Sequence, residues 1–222
     1  VNLGWEIPEE QREAFRKIGE EMDKFRKSRD NLDQGFLNDL KAVLTPEQTA
    51  KWPSVERTFR REQSIGRGVI SGERVDLVEI VDQLKLSDDA MKPVAPVLDD
   101  YAAELDRELT ARNTAYDAAQ AKIRDMFQNG GGGDESALNK AWEDGRAAGT
   151  RVRDVNRRFA RQIEPLLPAD AQPAFDAAVR ERSFPMIYRP SYASRAITAA
   201  GEISGINDDQ RATIQTIRTS FD

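Results

Sequence analysis

The amino-acid sequence predicts an all-α protein built on long antiparallel helical hairpins, with kinked, capped helix restarts and an internal duplication. Three observations support this prediction: long runs with an apolar residue every third or fourth position, a tetraglycine between two such runs, and a recurring helix-start motif. Only 14 Gly and 10 Pro occur in 222 residues, which favours helices over a sandwich or a disordered chain. We expect one elongated domain, residues 1–222, made of two related units at about 9–90 and 135–210 around a helical hairpin at 88–166.

The first predicted helix runs from Glu9 to Leu44 and carries an apolar seam interrupted once, by Arg29. The spacing of the apolar residues, alternately three and four positions, places them on one face of a helix. They are Phe15, Ile18, Met22, Phe25, Leu32, Phe36, Leu40 and Val43. A helix with such a face requires a partner to cover it.

A helix restart is predicted at Thr45-Pro46-Glu47-Gln48. Thr45 suits the N-cap, Pro46 suits the first helical position, and Gln48 can close a capping box. Four related pentads are each predicted to open a helix, and they begin at Ile7, Leu86, Leu167 and Ile206. Acidic pairs in the first turns complement the helix dipole, so we do not interpret them as metal ligands.

The hairpin is predicted from two long helices on either side of the glycine-rich segment Asn129–Asp134. Because glycine ends a helix and permits reversal, two helices joined by so short a loop should pack antiparallel. The second arm runs from Glu135 to about Leu166. Acidic residues between positions 99 and 108 would then face arginines between positions 151 and 161 as ion pairs. The seam of the first arm comprises Val94, Leu98, Tyr101, Leu105, Leu109, Tyr116, Ala119, Ile123 and Met126.

The two halves of the chain align with each other. From position 135 onward the seams match at an offset of 123 residues, which is the separation of Phe36 from Phe159. Beyond Ser183 an offset of 120 is better and places Phe221 on Tyr101. We interpret this as internal duplication. Both chain ends then resemble half hairpins, to be completed by each other, by another copy of the chain, or by sequence trimmed away.

The residue inventory excludes most catalytic templates. Without His or Cys, the chain cannot build Ser-His-Asp or Cys-His catalysis, HExxH zinc sites or the Glu-x-x-His pairs of di-iron bundles. The glycine segment also lacks the Gly-Lys-Ser/Thr of a phosphate-binding loop. We therefore expect no enzyme activity, no catalytic residues, no metal and no cofactor, with a site built on paired carboxylates as the least favoured alternative.

The charge balance bears on possible partners. A formal net charge of -6 provides no global field for nucleic acid or anionic lipid. The arginine run is predicted to face acidic side chains, which favours ion pairs over a nucleic-acid patch. No run approaches the roughly 18 apolar residues of a membrane span. We expect no nucleic-acid partner and no membrane span.

One segment breaks the helical spacing. Residues Ser183–Tyr192, SFPMIYRPSY, concentrate aromatic and apolar side chains between two prolines, and they form either a packed connector or a docking surface for another protein. Its counterpart in the first unit, Ser64–Arg74, is glycine-rich and less apolar. The candidate protein-binding residues, each of which could instead belong to the core, are Trp52, Phe59, Phe175, Phe184, Tyr188 and Tyr192.

The pattern of an apolar residue followed by Thr-x-x-Gln is complete in LTPEQ, residues 44–48, and partial in IPEEQ and INDDQ. Set on long helical hairpins, it resembles the LTxxQ-motif family of bacterial periplasmic proteins, the Spy/CpxP-like group. This resemblance implies an all-helical, usually dimeric, exported protein that binds other proteins in envelope stress, with ATP-independent chaperone activity in some members. The metal-sensing relatives use His-rich segments, which this sequence lacks.

Two functions therefore stand as hypotheses. The first is a non-enzymatic, exported, protein-binding helical module that is chaperone-like or related to envelope stress. The second is a structural subunit that assembles through its half hairpins into an envelope-associated oligomer or fibre. The partner is accordingly another protein or the chain itself, as a homo-oligomer. Because the sequence begins with Val1 and lacks Cys, we favour removal of a leader over a fragment, and a periplasmic or otherwise exported protein.

Overall fold

The computed structural model of the protein describes residues 8–128, 135–188 and 191–221, and all the regular secondary structure in these ranges is helical. The all-α prediction is confirmed. Two 3-10 turns, Ile65–Arg67 and Glu164–Leu166, follow the third and seventh helices. The helices in the described ranges are α1 Glu9–Ala42, α2 Pro46–Thr49, α3 Trp52–Ser64, α4 Leu77–Gln83, α5 Asp88–Met91, α6 Ala95–Gln128, α7 Glu135–Ile163, α8 Gln172–Ser183, α9 Pro185–Tyr188, α10 Tyr192–Gly201 and α11 Asp208–Phe221.

Helices α6 and α7 form the long antiparallel hairpin that the sequence predicts. Lys122 donates to the backbone oxygen of Ala137 near the turn. Further from the turn, the rings of Tyr101 and Phe159 meet edge to face with centroids 5.5 Å apart. Contacting residues that are further from positions 129–134 on α6 are also further from them on α7, as an antiparallel pair requires. The glycines predicted to reverse the chain lie at positions 129–134, outside the described residues.

Some of the predicted ion pairs across the hairpin are present. Arg151 Nε lies 3.0 Å from Glu108 Oε2, and Arg158 Nη2 lies 2.5 Å from Glu104 Oε2. Asp106 faces another way: it accepts two hydrogen bonds of 2.8 Å from Arg60, on α3. Exposed pairs of this kind contribute at most about 1 kcal/mol each, so they select the register more than they stabilise the fold.

The core lies where α4 and α8 meet the end of the hairpin that is remote from the glycine segment. Its buried side chains come from both halves of the chain, so neither predicted unit has this core to itself. Burial of aliphatic and aromatic side chains contributes roughly 1.5–3 kcal/mol each. The cluster comprises Val75, Leu77, Ile80, Val81, Val94, Leu98, Tyr101, Leu105, Leu109, Val152, Val155, Phe159, Ala160, Ile163, Leu167 and Phe175.

The capped helix starts are present where the pentad offers a side-chain oxygen. Thr45 Oγ1 accepts from Gln48 N, and Gln48 Oε1 accepts from Thr45 N, which completes the predicted capping box. Ser87 Oγ accepts from Ala90 N at the start of α5, without the returning bond of a capping box. The pentad at Leu167 differs: α8 begins only at Gln172. Proline at position 168 supplies no oxygen that could accept the capping hydrogen bond, but Pro8 lacks one too and α1 begins directly after it, so the missing cap alone does not explain the later start of α8.

Helix α1 lies beside α6 but keeps its apolar face open. The contacts between them are polar: Arg124 on α6 donates to both carboxylate oxygens of Asp23 at 2.6 Å, and this bond holds the pKa of Asp23 below its usual range. The apolar face, here called the α1 stripe, consists of Phe15, Ile18, Met22, Phe25, Leu32, Phe36, Leu40 and Val43, all of them exposed.

The aligned residues Phe36 and Phe159 therefore lie in different surroundings. Phe36 is 56% exposed, whereas Phe159 is 6% exposed beneath α6. The physical reason is that α7 has a partner arm in the same chain, whereas the polar contacts of α1 with α6 leave its stripe uncovered. None of the described helices is long and apolar enough to cross a bilayer.

Candidate functional site

The candidate site is a cleft between two segments that differ in how they are held. One is the turn-rich stretch 68–76, which joins the first 3-10 turn to α4. The other is the junction of α8 and α9, in the predicted segment Ser183–Tyr192. Gly72 makes the bend in the stretch 68–76 possible, because its φ of +88° is a conformation that side-chain-bearing residues rarely adopt.

A buried carboxylate fixes the turn. Glu73 is fully buried, and its Oε2 accepts hydrogen bonds of 2.7 Å from the backbone N–H groups of Val69 and Ile70. The hydroxyl of Tyr116 lies 3.3 Å from Glu73 Oε1 and donates to the carboxylate. Burial, and then the negative charge of Glu73, raise the pKa of Tyr116. The turn is thus wrapped around a charge that water does not reach.

The counter-charge of Glu73 is Arg112, on α6. Its side chain is fully buried, with Nη1 3.5 Å from Glu73 Oε1, and burial lowers its pKa. Its Nη2 donates to the backbone oxygen of Ser64 and to Asn113 Oδ1. In the described part of the chain, Arg112 Nε has no hydrogen-bond acceptor. The ion pair with Glu73 therefore carries much of the compensation for burying this guanidinium.

A neutral pair holds the other end of the turn. Asn156 on α7 donates from Nδ2 to the backbone oxygen of Gly72 at 2.8 Å and accepts at Oδ1 from the hydroxyl of Tyr101 at 2.9 Å. Burial raises the pKa of Tyr101 well above its usual range, so the phenol stays protonated. The hairpin thereby positions one wall of the cleft from both of its arms.

The opposite wall is apolar and largely uncovered. Phe184 leaves the helical conformation, with φ −135° and ψ 63°, so that α8 ends and α9 starts in a new direction. Its ring packs near Tyr188, with centroids 6.3 Å apart. The next residues are solvent-facing: Met186 is 97% exposed and Ile187 is 73% exposed.

Between these walls lies a cavity of about 230 Å³, lined by residues 68–72, Arg74 and residues 182–187. Its two guanidinium groups are engaged within the chain. Arg74 donates to the backbone oxygen of Gly68 at 2.7 Å, and Arg182 makes a two-bond contact with Glu79 at 2.6 and 2.9 Å. The space that remains suits an apolar side chain more than a charged group.

The structure separates the predicted protein-binding residues into three groups. Trp52 and Phe175 are buried, and Trp52 Nε1 donates to Glu56 at 2.6 Å. Phe59, on α3, is half-buried. Phe184 lines the cleft, Tyr188 lies beside it, and Tyr192 is 87% exposed at the start of α10, beneath the guanidinium of Arg195. The cleft brings together Phe184 and Tyr188, and the first three residues pack elsewhere.

Sequence reasoning missed the buried polar groups that hold the turn. A signal was available for Arg112, because it occupies a seam position between Leu109 and Tyr116, where an apolar residue was expected. A charge on an apolar face requires a buried partner. Nothing in the sequence pattern identifies Glu73 as that partner, since it lies 39 residues earlier in a turn.

Among the described residues, no group of three or more acidic side chains is arranged to hold a metal ion. Comparisons of this chain with protein-family models, curated proteins and solved structures find no match.

Proposed function

We propose that this protein is a non-enzymatic, protein-binding helical module that holds apolar side chains of partner proteins at the cleft between residues 68–74 and 182–187. The observation that carries the proposal is the exposure of Met186 and Ile187 beside an apolar cavity whose other wall is fixed by buried hydrogen bonds. A wall fixed by hydrogen bonds opposite an exposed apolar one suits partners of varied shape, since methionine adapts to irregular surfaces.

The energetics favour an occupant. An apolar side chain that moves from water into contact gains roughly 25 cal/mol for each Å² it buries. Met186 is almost fully solvated in the free protein, so its contribution to folding is small and its contribution to binding can be correspondingly large. Tyr188, whose ring packs near Phe184, extends the same surface with an aromatic ring, a side chain enriched at protein interfaces.

An exported, chaperone-like or envelope-stress role follows from the resemblance to the LTxxQ-motif family. The capping box of Thr45 and Gln48 supports it, because the motif begins a helix here as in that family. The lack of Cys suits an oxidising compartment. On this proposal the partners are partly unfolded proteins, recognised through exposed apolar segments without ATP.

A client-aggregation assay tests the proposal. We expect the protein to suppress aggregation of a chemically unfolded client at equimolar ratio, and the double variant Met186→Ser/Ile187→Ser to lose most of that suppression. The matched control is Trp142→Ser, which removes an exposed apolar side chain from α7, away from the cleft. Equal suppression by the double variant and the control, or none by the parent protein, would contradict the proposal.

The second candidate function is a structural subunit that self-assembles through half hairpins into an oligomer or fibre. The α1 stripe favours it, because a helix of 34 residues with an uncovered apolar face is a surface that association would bury. On this proposal the chain is a duplication of units at about 9–90 and 135–210, and copies associate through terminal helices that resemble half hairpins.

A further inference from the structure

We propose that α11 of one copy of this chain packs antiparallel along the C-terminal half of α1 of another copy, in the register that joins α6 to α7. The inference deepens the second candidate function and rests on it: it names the partner surface and the residue pairs. Three observations carry it, namely a structural repeat at the start of α11, the correspondence of α1 with α7, and exposure of the two faces that would meet.

The start of α11 repeats the start of the hairpin's first arm. Before α5, the chain turns through Lys85 with φ +49°, and Ser87 then caps the helix. Before α11, it turns through Gly205 with φ +85°, and Asn207 Oδ1 accepts from Gln210 N at 2.8 Å. Lys85 and Gly205 are separated by the same 120 residues as the aligned seams. A left-handed residue, an apolar residue and a cap therefore recur at matching positions.

The second arm of the hairpin corresponds to α1. Helix α7 and the 3-10 turn after it are followed by the buried ring of Phe175, and α1 is followed by the buried ring of Trp52. These two aromatic residues are 123 residues apart, as are Phe159 and Phe36. The match gives α1 the position of a second arm, and in the described part of the chain its apolar stripe is exposed.

The register follows from the hairpin itself. Tyr101 on α6 meets Phe159 on α7 edge to face. The 120-residue offset takes Tyr101 to Phe221 of α11, and the 123-residue offset takes Phe159 back to Phe36 of α1. The same register therefore places Phe221 against Phe36. The neighbouring steps along the same register place Ile217 against Leu40 and Ile214 against Val43, so each pair is apolar.

The two faces are open within one chain. Phe36 is 56% exposed and Phe221 is 52% exposed, whereas Tyr101 and Phe159 at the matching places are buried. Helix α11 packs on α10, with Arg218 donating to Thr198 at 3.0 Å, and α1 lies against α6 through Asp23. Phe36 and Leu40 on α1 and Ile217 and Phe221 on α11 thus remain exposed, although Ile214 is half-buried, and the exposed part of each seam is available to a second copy.

The two surfaces are unlike, so the contact is heterologous. Such contacts close into a reciprocal dimer or a ring when the geometry allows, and otherwise extend into a fibre. In a dimer, a ring or a fibre, the helix that packs against each occupied α1 is the α11 of another copy.

Cysteine cross-linking tests the register, since the chain has no Cys of its own. A tagged copy carrying Phe36→Cys is mixed with an untagged copy carrying Phe221→Cys and treated with a short bis-maleimide. We expect a mixed two-chain product. The control replaces Phe36→Cys by Phe15→Cys, which lies on the same stripe about 30 Å away along α1 and should give little product. All three positions are exposed, and unchanged helicity confirms folding.

The outcomes separate the register from self-assembly. A dominant product between Phe36→Cys and Phe221→Cys on different chains, with a solution mass above one chain, supports the inference. Cross-linking of Phe36→Cys to itself, with the same raised mass, overturns the register and leaves self-assembly standing. A single-chain mass at all concentrations, with no mixed product, overturns both. Client binding at the cleft is measured separately and is unaffected by this result.

Discussion

The carboxylate of Glu73 has no contact with solvent, and its nearest cation, the guanidinium of Arg112, is equally buried. Two backbone N–H groups of the turn also depend on this carboxylate. A buried pair of this kind adds little net stability compared with apolar residues of similar shape, but removal of one member leaves the other uncompensated. One end of the cleft wall therefore depends on a single side chain, while Asn156 holds the other end.

Replacement of Glu73 by Gln should be strongly destabilising. The variant keeps the size of the side chain but leaves Arg112 as a buried cation without its anion, at a cost of about 3–5 kcal/mol. Urea denaturation measures this as a lower midpoint with an unchanged slope. The matched control is Glu104→Gln, which breaks the exposed pair with Arg158 and should cost no more than about 1 kcal/mol. Similar losses in both variants would contradict the assignment.

The pair of Glu79 and Arg182 at the edge of the cleft predicts a pH dependence. The hydrogen bond from Arg182 holds the pKa of Glu79 below its ordinary value of 4.5. A lowered pKa in the folded state contributes stability that is present above about pH 4.5 and is lost as the pH falls through the folded pKa. We expect the free energy of unfolding to fall less steeply below pH 4.5 in Glu79→Gln than in the parent protein. Parallel pH profiles of denaturation would contradict this.

At the scale of helices, glycines mark where α7 allows another segment to approach. A Cβ on Gly149 would lie 2.5 Å from Glu73 Oε1 and 2.9 Å from Ile70 Cδ1, so the buried turn needs this position empty. On α1, a Cβ at Gly35 would meet nothing within 4 Å. Both glycines lie in the interior of a long helix. A buried segment packs against Gly149, whereas nothing packs against Gly35.

Alanine at these two glycines should therefore have opposite effects. Gly35→Ala should stabilise the protein by about 0.5–1 kcal/mol, since alanine is the better helix former. Gly149→Ala gains the same propensity but forces the buried turn away, which should cost about 1–3 kcal/mol overall. Thermal and urea denaturation of both variants measure the difference. A stabilising Gly149→Ala would show that Glu73 does not occupy its assigned place.

Local features of the helices could be predicted from the sequence because their causes are local. The cap at Thr45 needs only a hydroxyl and a glutamine three residues later, and both hydrogen bonds are present. The hairpin required only two apolar faces and a short glycine-rich connection. The burial of each face could not be predicted in the same way. Periodicity shows that α1 and α7 are amphipathic, but whether a partner covers them depends on the packing of distant segments.

The cleft was only partly predictable for the same reason. The segment Ser183–Tyr192 attracted attention because prolines interrupt the helical pattern and apolar residues cluster there. The turn at 68–76 did not, since its shape depends on Asn156 and Arg112, which are distant in sequence. Trp52 and Phe175 were candidates for protein binding but are buried. Aromatic residues near helix starts are suited to cores as well as to interfaces, and the sequence pattern does not distinguish the two.

For the whole molecule, the distribution of apolar surface is the feature that connects fold to function. One compact core joins α4 and α8 to the end of the hairpin, while apolar residues remain exposed on α1, on α11 and beside the cleft. These surfaces remain largely exposed in a single chain. The account assigns them to binding: the cleft to apolar segments of other proteins, and the faces of α1 and α11 to another copy.

Hydrogen–deuterium exchange with and without an unfolded client, at fixed protein concentration, tests the central claim most directly. We expect client addition to slow exchange in residues 68–74 and 183–188, and to leave the buried segment 152–163 of α7 unchanged. Exchange that is unaltered in both walls of the cleft, while the client slows it elsewhere or is bound nowhere, would contradict the account.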